Sequence, residues 1–257
     1  MKSVRGYIVV MWMVLAVSPT VVWGSNTWGN YHWARTNNPF TLKLGDNVSS
    51  TWDPYLTEAS SDWSKSIVLD TTVVAGQTTP QSCKSTNGRV EVCNAKYGYN
   101  GWLGIASIWV SGSHITKGVV KLNDTYFATS TYNTPGWRRL VMCQEIGHPL
   151  GLDHQDVIFT NPNLGSCMDY TNNPLGPPSN EHPNQHDYDT LETIYSHLDT
   201  TTTVGQTTGS TPSAGDRAWQ AGQWGRLVRS NPDRRIELYE LDLGRGHKVL
   251  THVIWAE

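Results

Sequence analysis

Phenylalanine is nearly missing from this chain: it has three, against twelve tryptophans and eleven tyrosines. Tyrosine and tryptophan rings carry polar handles and tolerate half-wet positions. Their expected use here is packing in a β-rich core. Charge is scarce as well. Charged residues are 16% of the 257, and the net charge is −3. That balance excludes a nucleic-acid binder and a polybasic membrane binder as leading classes. No stretch has the length of a membrane span. The apolar run Ile8 to Val17 holds ten residues; Lys2 and Arg5 precede it, and the small residues Val22 and Gly24 follow. This is the layout of a secretory signal cleaved after Gly24, so residues 1–24 are set apart from the fold. No internal repeat is found.

Cysteine is limited to Cys83, Cys93, Cys143 and Cys167. An even count in an exported chain favours disulfides, and four cysteines allow three connectivities. A Cys83–Cys93 bridge would close a short loop around "STNGRV" and leave Cys143 with Cys167.

Residue patterns then predict the elements. Phe40–Val48 alternates as a strand. Asp53 as N-cap, Pro54 at the first helical position, and Trp52, Leu56, Ala59 and Trp63 at helical spacing predict an amphipathic helix. Strands follow at Ser66–Val74 and Gly104–Val110, with a loop or hairpin across Gly76–Gly101 between them. Gly118–Asp124 alternates with one polar side, the pattern of an edge strand. Thr134 caps and Pro135 opens a second helix that ends near Gly151. A third helix spans His186–Leu198, with Tyr188, Leu191, Ile194 and Tyr195 on one face. Residues 25–199 thus form the main domain. Residues 200–216, rich in Thr, Ser and Gly, read as a linker. Residues 217–257 form a small β extension whose hairpin turns at "GRGH".

The chemistry concentrates in "CQEIGHPLGLDH", Cys143 to His154. Histidines on a helix with a glutamate beside them, followed by a glycine turn and one more histidine, are the ligand set of a catalytic zinc. The metal acidifies its bound water and the glutamate accepts the proton. Here His148 and His154 are two of the ligands, Glu145 is the base and Gly151 the turn. Gln144 stands where a histidine would complete the set.

This string resembles the metzincin zinc endopeptidases, whose pattern is H-E-x-x-H-x-x-G-x-x-H followed by a turn containing methionine. "SCMDY", Ser166 to Tyr170, is similar to that Met-turn, and "HDYDTLETIY" to the helix that follows it in the matrixins. The resemblance covers residues 40–198. It implies an α+β fold with a twisted mixed sheet, an active-site helix, a Met-turn and a C-terminal helix. It implies a secreted, monomeric, zinc-dependent endopeptidase acting on polypeptide, with no nucleic-acid partner and no stable membrane association after signal cleavage. Gln144, His148 and His154 would hold zinc; Glu145 would be catalytic, and Tyr170 would stabilise the oxyanion. Substrate would pair with the Gly118–Asp124 strand. A Cys143–Cys167 bridge would tie the active helix to the Met-turn. Two departures stand out. The Gln144 amide oxygen is a poorer zinc donor than imidazole, and Pro149 removes a helical donor and biases His148 away from helical angles. They motivate an alternative: a catalytically inactive binding protein of the same fold. A third reading, a glycan-binding module with a Trp-rich face, rests on composition alone. His114, His182 and His186 are candidates to restore the ligand set, although solvated loop positions are their expected state. His32, His197, His247 and His252 have no motif around them and receive no role.

Overall fold

Alternation along the chain becomes one long sheet in the computed structural model, which describes residues 26–207, 214–231 and 233–256. Residues 1–24, read as a secretory signal, lie outside the described residues. The strands are β1 (His32–Trp33), β2 (Phe40–Asn47), β3 (Leu69–Ala75), β4 (Val90–Ala95), β5 (Trp102–Ser111), β6 (His114–Asn123), β7 (Arg226–Ser230), β8 (Ile236–Gly244) and β9 (His247–Trp255). Their order is β3-β2-β4-β6-β5-β9-β8-β7, with β1 pairing β6 at His32↔His114. The β3/β2, β2/β4 and β4/β6 pairs are parallel, while β6/β5, β5/β9, β9/β8 and β8/β7 are antiparallel. The helices are α1 (Asp53–Trp63), α2 (Asp124–Phe127), α3 (Pro135–Gly147), α4 (Gln185–Ile194) and α5 (Ala214–Gln220). A large mixed sheet with few helices is an arrangement of α+β type.

Two layers cover the sheet. On one face the main core gathers Leu42, Leu44, Trp63, Leu103, Ile108, Leu122, Ile146 and Met168 with the rings of Trp33 and Trp52. On the other face a smaller core holds the Cys83–Cys93 pair, Trp102, Ile105, Trp109, Val119, Trp219, Val249 and Val253. The tryptophans therefore pack, as the composition implied.

Helix α1 starts at Asp53, one residue earlier than expected, and its N-cap is Trp52 with no side-chain cap bond. Thr134 caps α3 as expected, accepting from the Trp137 amide. Pro149 does not unwind His148, which keeps right-handed helical angles (φ −59°, ψ −51°). Instead the helix tightens into a 3-10 turn over His148–Leu150, and Gly151 takes φ +104° to end it.

Two expectations are corrected. The stretch Gly76–Gly101, read as a loop or hairpin, carries β4, a strand paired in parallel with both β2 and β6. Gly118–Asp124 is not an edge strand, because β6 lies between β4 and β5. Its polar alternation does not face water. Lys117 reaches Asp216 of α5 at 2.7 Å, and Lys121 lies 4.3 Å above the Trp219 ring. A second layer, not solvent, satisfies the polar side. Asp216, assigned to the linker, thus belongs to α5.

The hairpin expected in the extension forms: β8 and β9 close through Gly244↔His247. It does not stand alone. Strand β9 runs antiparallel along the whole of β5, from Trp102↔Trp255 to Ser111↔His247. The extension continues the main sheet.

Candidate metal centre

The strand period of two decides what β9 shows to each side. Val249 and Val253 enter the smaller core, while Leu250 and Ile254 enter the main one. His252 shares the second set's parity, so its imidazole faces the helical layer. There it meets the motif histidines. The ring of His252 stacks on His148 at 4.1 Å and 17°, and stands 4.5 Å from His154. His148 and His154 rings are 4.8 Å apart and nearly perpendicular. One ligand nitrogen from each of the three lies within 4.8 Å of the others, a grouping that fits a metal ion.

The donor chemistry is consistent with that fit. His148 Nδ1 lies 2.9 Å from the Leu152 carbonyl, which can only accept. The proton therefore sits on Nδ1, and Nε2 is left with its lone pair toward the cluster. His148 Nε2 and both ring nitrogens of His154 and of His252 are buried without hydrogen-bond partners among the described residues. Native proteins rarely leave such groups unpaired without a functional reason. Burial drives all three imidazoles toward the neutral, ligating form. His148 is pushed down to about 4, and His154 and His252 are held well below the usual histidine range by burial and by their neighbours' charge.

Glu145, three residues before His148 on the same helix, is fully buried. Burial raises its carboxyl well above the usual carboxylate range, and neither oxygen has a partner among the described residues. Room for it comes from Gly104 on β5: a Cβ there would sit 2.4 Å from Glu145 Oε1. Gln144 is also buried, but its amide is committed. Nε2 donates to the Cys167 carbonyl at 2.7 Å, which pins α3 to the turn below. Oε1 is left unpartnered among the described residues.

The Ser166–Tyr170 turn lies under the cluster. A Cβ on Gly147 would come within 2.5 Å of the Met168 sulfur, so helix and turn touch next to His148. Cys143 and Cys167 stand at disulfide distance and close the same contact covalently; Cys83 and Cys93 do the same for the other pair. The turn is anchored to α4 as well. Asp187, third residue of α4 and part of its capping box, accepts from Ser166 Oγ at 2.6 Å and from Gln155 Nε2 at 2.7 Å. Tyr170 is buried beside His154, 6.5 Å between ring centres, and packs on Phe159. Asp153 and Asp169 act structurally: Asp153 accepts from the His154 amide and pairs with Arg229, and Asp169 accepts from Leu164 and Asn180. Trp28 walls the site against His148 and His252.

The sequence reading misses His252. His182 instead pairs with Asp62 at 2.7 Å, His186 lies by Thr190, and His114 lies at a different cluster. One signal was available: in "VLTHVIW" a histidine occupies a position whose i±2 neighbours are both apolar and inward. No helix among the described residues is long and apolar enough to cross a membrane. No protein-family model and no curated protein sequence matches this chain.

Proposed function

We propose that the chain is a secreted zinc-dependent endopeptidase of metzincin type, with the metal held by His148, His154 and His252 and with Glu145 as general base. The observation that carries this reading is the convergence of three buried imidazoles, each with an unpartnered ring nitrogen among the described residues, with the buried Glu145 three residues before His148 in sequence. The ligand place that the sequence gives to Gln144 passes to His252. An imidazole nitrogen is the better zinc donor, and the Gln144 amide already anchors the turn. When bound, zinc supplies a Lewis acid and a water acidic enough to lose its proton near neutrality. Glu145 accepts that proton and returns it to the leaving amine. Tyr170 is assigned the oxyanion donor on its place beside His154.

Substrate access differs from the expected one. β9 occupies the far edge of β5, so neither β5 nor β6 is open to an added strand. The sheet's edges are β3 and β7; β7 exposes Leu227 and Val228, and its Arg229 pairs with Asp153, the neighbour of His154. A polypeptide adding a strand would do so there.

A second reading is a non-catalytic extracellular binding protein of the same fold. The depth of the centre favours it: Glu145, His148 and His252 have no exposed surface. Zinc content and hydrolysis of a mixed fluorogenic peptide library, measured on the wild type and on Glu145→Gln, separate the two. One zinc per chain, cleavage abolished by chelator and lost in the variant support the peptidase. Zinc without cleavage supports the binding protein. Absence of zinc overturns both metal roles.

A further inference from the structure

We infer that a second transition-metal site lies where His32, His197 and Asp199 meet, with His114 beside the Asp199 carboxylate, and that an ion of zinc type bound there joins β1 to the chain after α4. This site shares no residue with the centre described above.

The site is built around Asp199. Its Oδ2 accepts from the Arg35 guanidinium at 2.9 Å and from the Arg35 backbone amide at 3.2 Å. The Asp199 amide donates back to the Arg35 carbonyl at 2.9 Å, and the same guanidinium also binds the carbonyls of Tyr195 and His197. The carboxylate is thereby fixed in place, and Oδ1 is turned toward three imidazoles. His32 Nε2 is 3.5 Å from it, His114 Nε2 3.2 Å and His197 Nε2 3.9 Å. His32 Nε2 and His197 Nε2 are 3.2 Å apart. Tetrahedral ligands at the usual zinc–nitrogen bond length lie about 3.3 Å from one another. Among His32, His197 and Asp199 the separations of 3.2, 3.5 and 3.9 Å bracket that edge, and the three ligand atoms lie together as one group that does not include His114.

The protonation pattern agrees. His32 Nδ1 is 2.8 Å from the Asn30 carbonyl, so Nδ1 carries a proton and, with the ring neutral, the Nε2 lone pair points into the cluster. A lone pair facing a carboxylate oxygen repels it, and two facing ring nitrogens need one proton or one cation between them. A divalent ion resolves both conflicts at once. Two imidazoles and one carboxylate suit zinc, nickel or copper, and not magnesium or calcium. His32 is almost buried, whereas the His197 side chain is about half exposed. An ion can therefore enter from solvent without unfolding. Bound there, it would hold the N-terminal strand to the end of the main domain, immediately before the segment that leads to β7–β9.

The full mature chain, stripped of metal, is titrated with zinc by calorimetry, with bound metal counted after gel filtration. Four proteins are compared: wild type, His32→Ala/His197→Ala, His148→Ala/His154→Ala, and Asp199→Asn, which keeps the Arg35 contact through its amide oxygen. The expected result is that His148→Ala/His154→Ala still binds one zinc at micromolar concentration or tighter, and that its melting temperature rises with zinc. His32→Ala/His197→Ala should bind one ion fewer than the wild type, and Asp199→Asn should bind the second ion at least about tenfold more weakly. If His148→Ala/His154→Ala does not fold, the count for His32→Ala/His197→Ala against the wild type decides alone. Equal counts in those two proteins, or second-site binding only at millimolar zinc, would mean a hydrogen-bonded histidine cluster and overturn the inference.

Discussion

Replacing His252 by phenylalanine separates a ligand from a packing residue, because the two roles predict opposite signs. The imidazole is fully buried and stacks on His148 at 4.1 Å. Phenylalanine keeps the ring and the stack but has no nitrogen. Without metal, both ring nitrogens of His252 lack partners among the described residues. Each such group costs about 1–3 kcal/mol, so the metal-free variant should melt at or above the metal-free wild type. With metal the order reverses. Loss even of a group that only orients a ligand costs about 10–100-fold in affinity. Removing one of three ligands should cost at least about 100-fold, or about 2.7 kcal/mol. The assay is thermal melting with and without zinc, together with a competition titration against a chromogenic chelator. A second substitution sharpens it: adding Gln144→His to His252→Phe offers an imidazole from the helix position and should recover part of the lost affinity. If His252→Phe binds zinc as tightly as the wild type, His252 is not a ligand and the proposed centre is wrong.

Gly104→Ala should drive a methyl into Glu145 Oε1 and Val141, at 2.4 and 2.9 Å from the new Cβ. Overpacking of that kind costs about 1–3 kcal/mol, and a base displaced by an ångström loses about 100-fold in rate; peptidase kinetics beside unchanged zinc content is the check. Replacing Cys143 and Cys167 by alanine opens a 24-residue loop, for which the chain-entropy estimate is about 3.5 kcal/mol; urea unfolding under non-reducing conditions measures it, and a loss below about 1 kcal/mol would show that the bridge adds little to the turn. Lys121 is pushed down to about 8 by burial, from 10.5. The unfolded chain then binds more protons between those values, so this residue's penalty is full below pH 8 and fades as pH rises through the window. Lys121→Met should therefore raise the melting temperature at pH 7 and lose that advantage near pH 10.5; an advantage independent of pH would point to packing instead.

Much of the fold was legible because its signals are local. Thr134-Pro135 announced α3, Gly151 its end, and the ten-residue spacing of Cys83 and Cys93 their pairing. Local signals also exposed two of the three proposed metal ligands, since His148 and His154 lie at one helix end and in the turn after it. The rest required topology. His252 lies 98 positions after His154 and gains its place only through the pairing of β9 with β5, a contact that no motif encodes. The polar face of β6 misled for a related reason. Alternation reports that one side of a strand is polar, not what covers it, and here α5 supplies partners to Lys117 and Lys121. His32, His114, His197 and Asp199 come from three separate segments, and each alone looks like a surface residue.

Strand β9 is held from both faces, and this fixes the place of a distant residue, His252, in the proposed metal centre. On the smaller core's side, Trp219 Nε1 reaches Ser107 Oγ of β5 at 2.8 Å and Thr251 Oγ1 of β9 at 3.1 Å, and those hydroxyls are 2.9 Å from each other. That buried triad locks the register one residue from His252. A slip of one position would turn His252 to the opposite face and break the two contacts that Thr251 makes. On the main core's side, Leu250 and Ile254 flank the imidazole in apolar packing. Helix α3 and the turn at Met168 are independently fixed by the Cys143–Cys167 bridge and the Gln144 amide. The glutamine that departs from the motif thus holds the turn beneath the ligands, while a rigid strand brings the third imidazole. Full ligation in the proposed centre therefore requires β9 to be paired with β5, because His252 reaches the other two imidazoles only through that pairing.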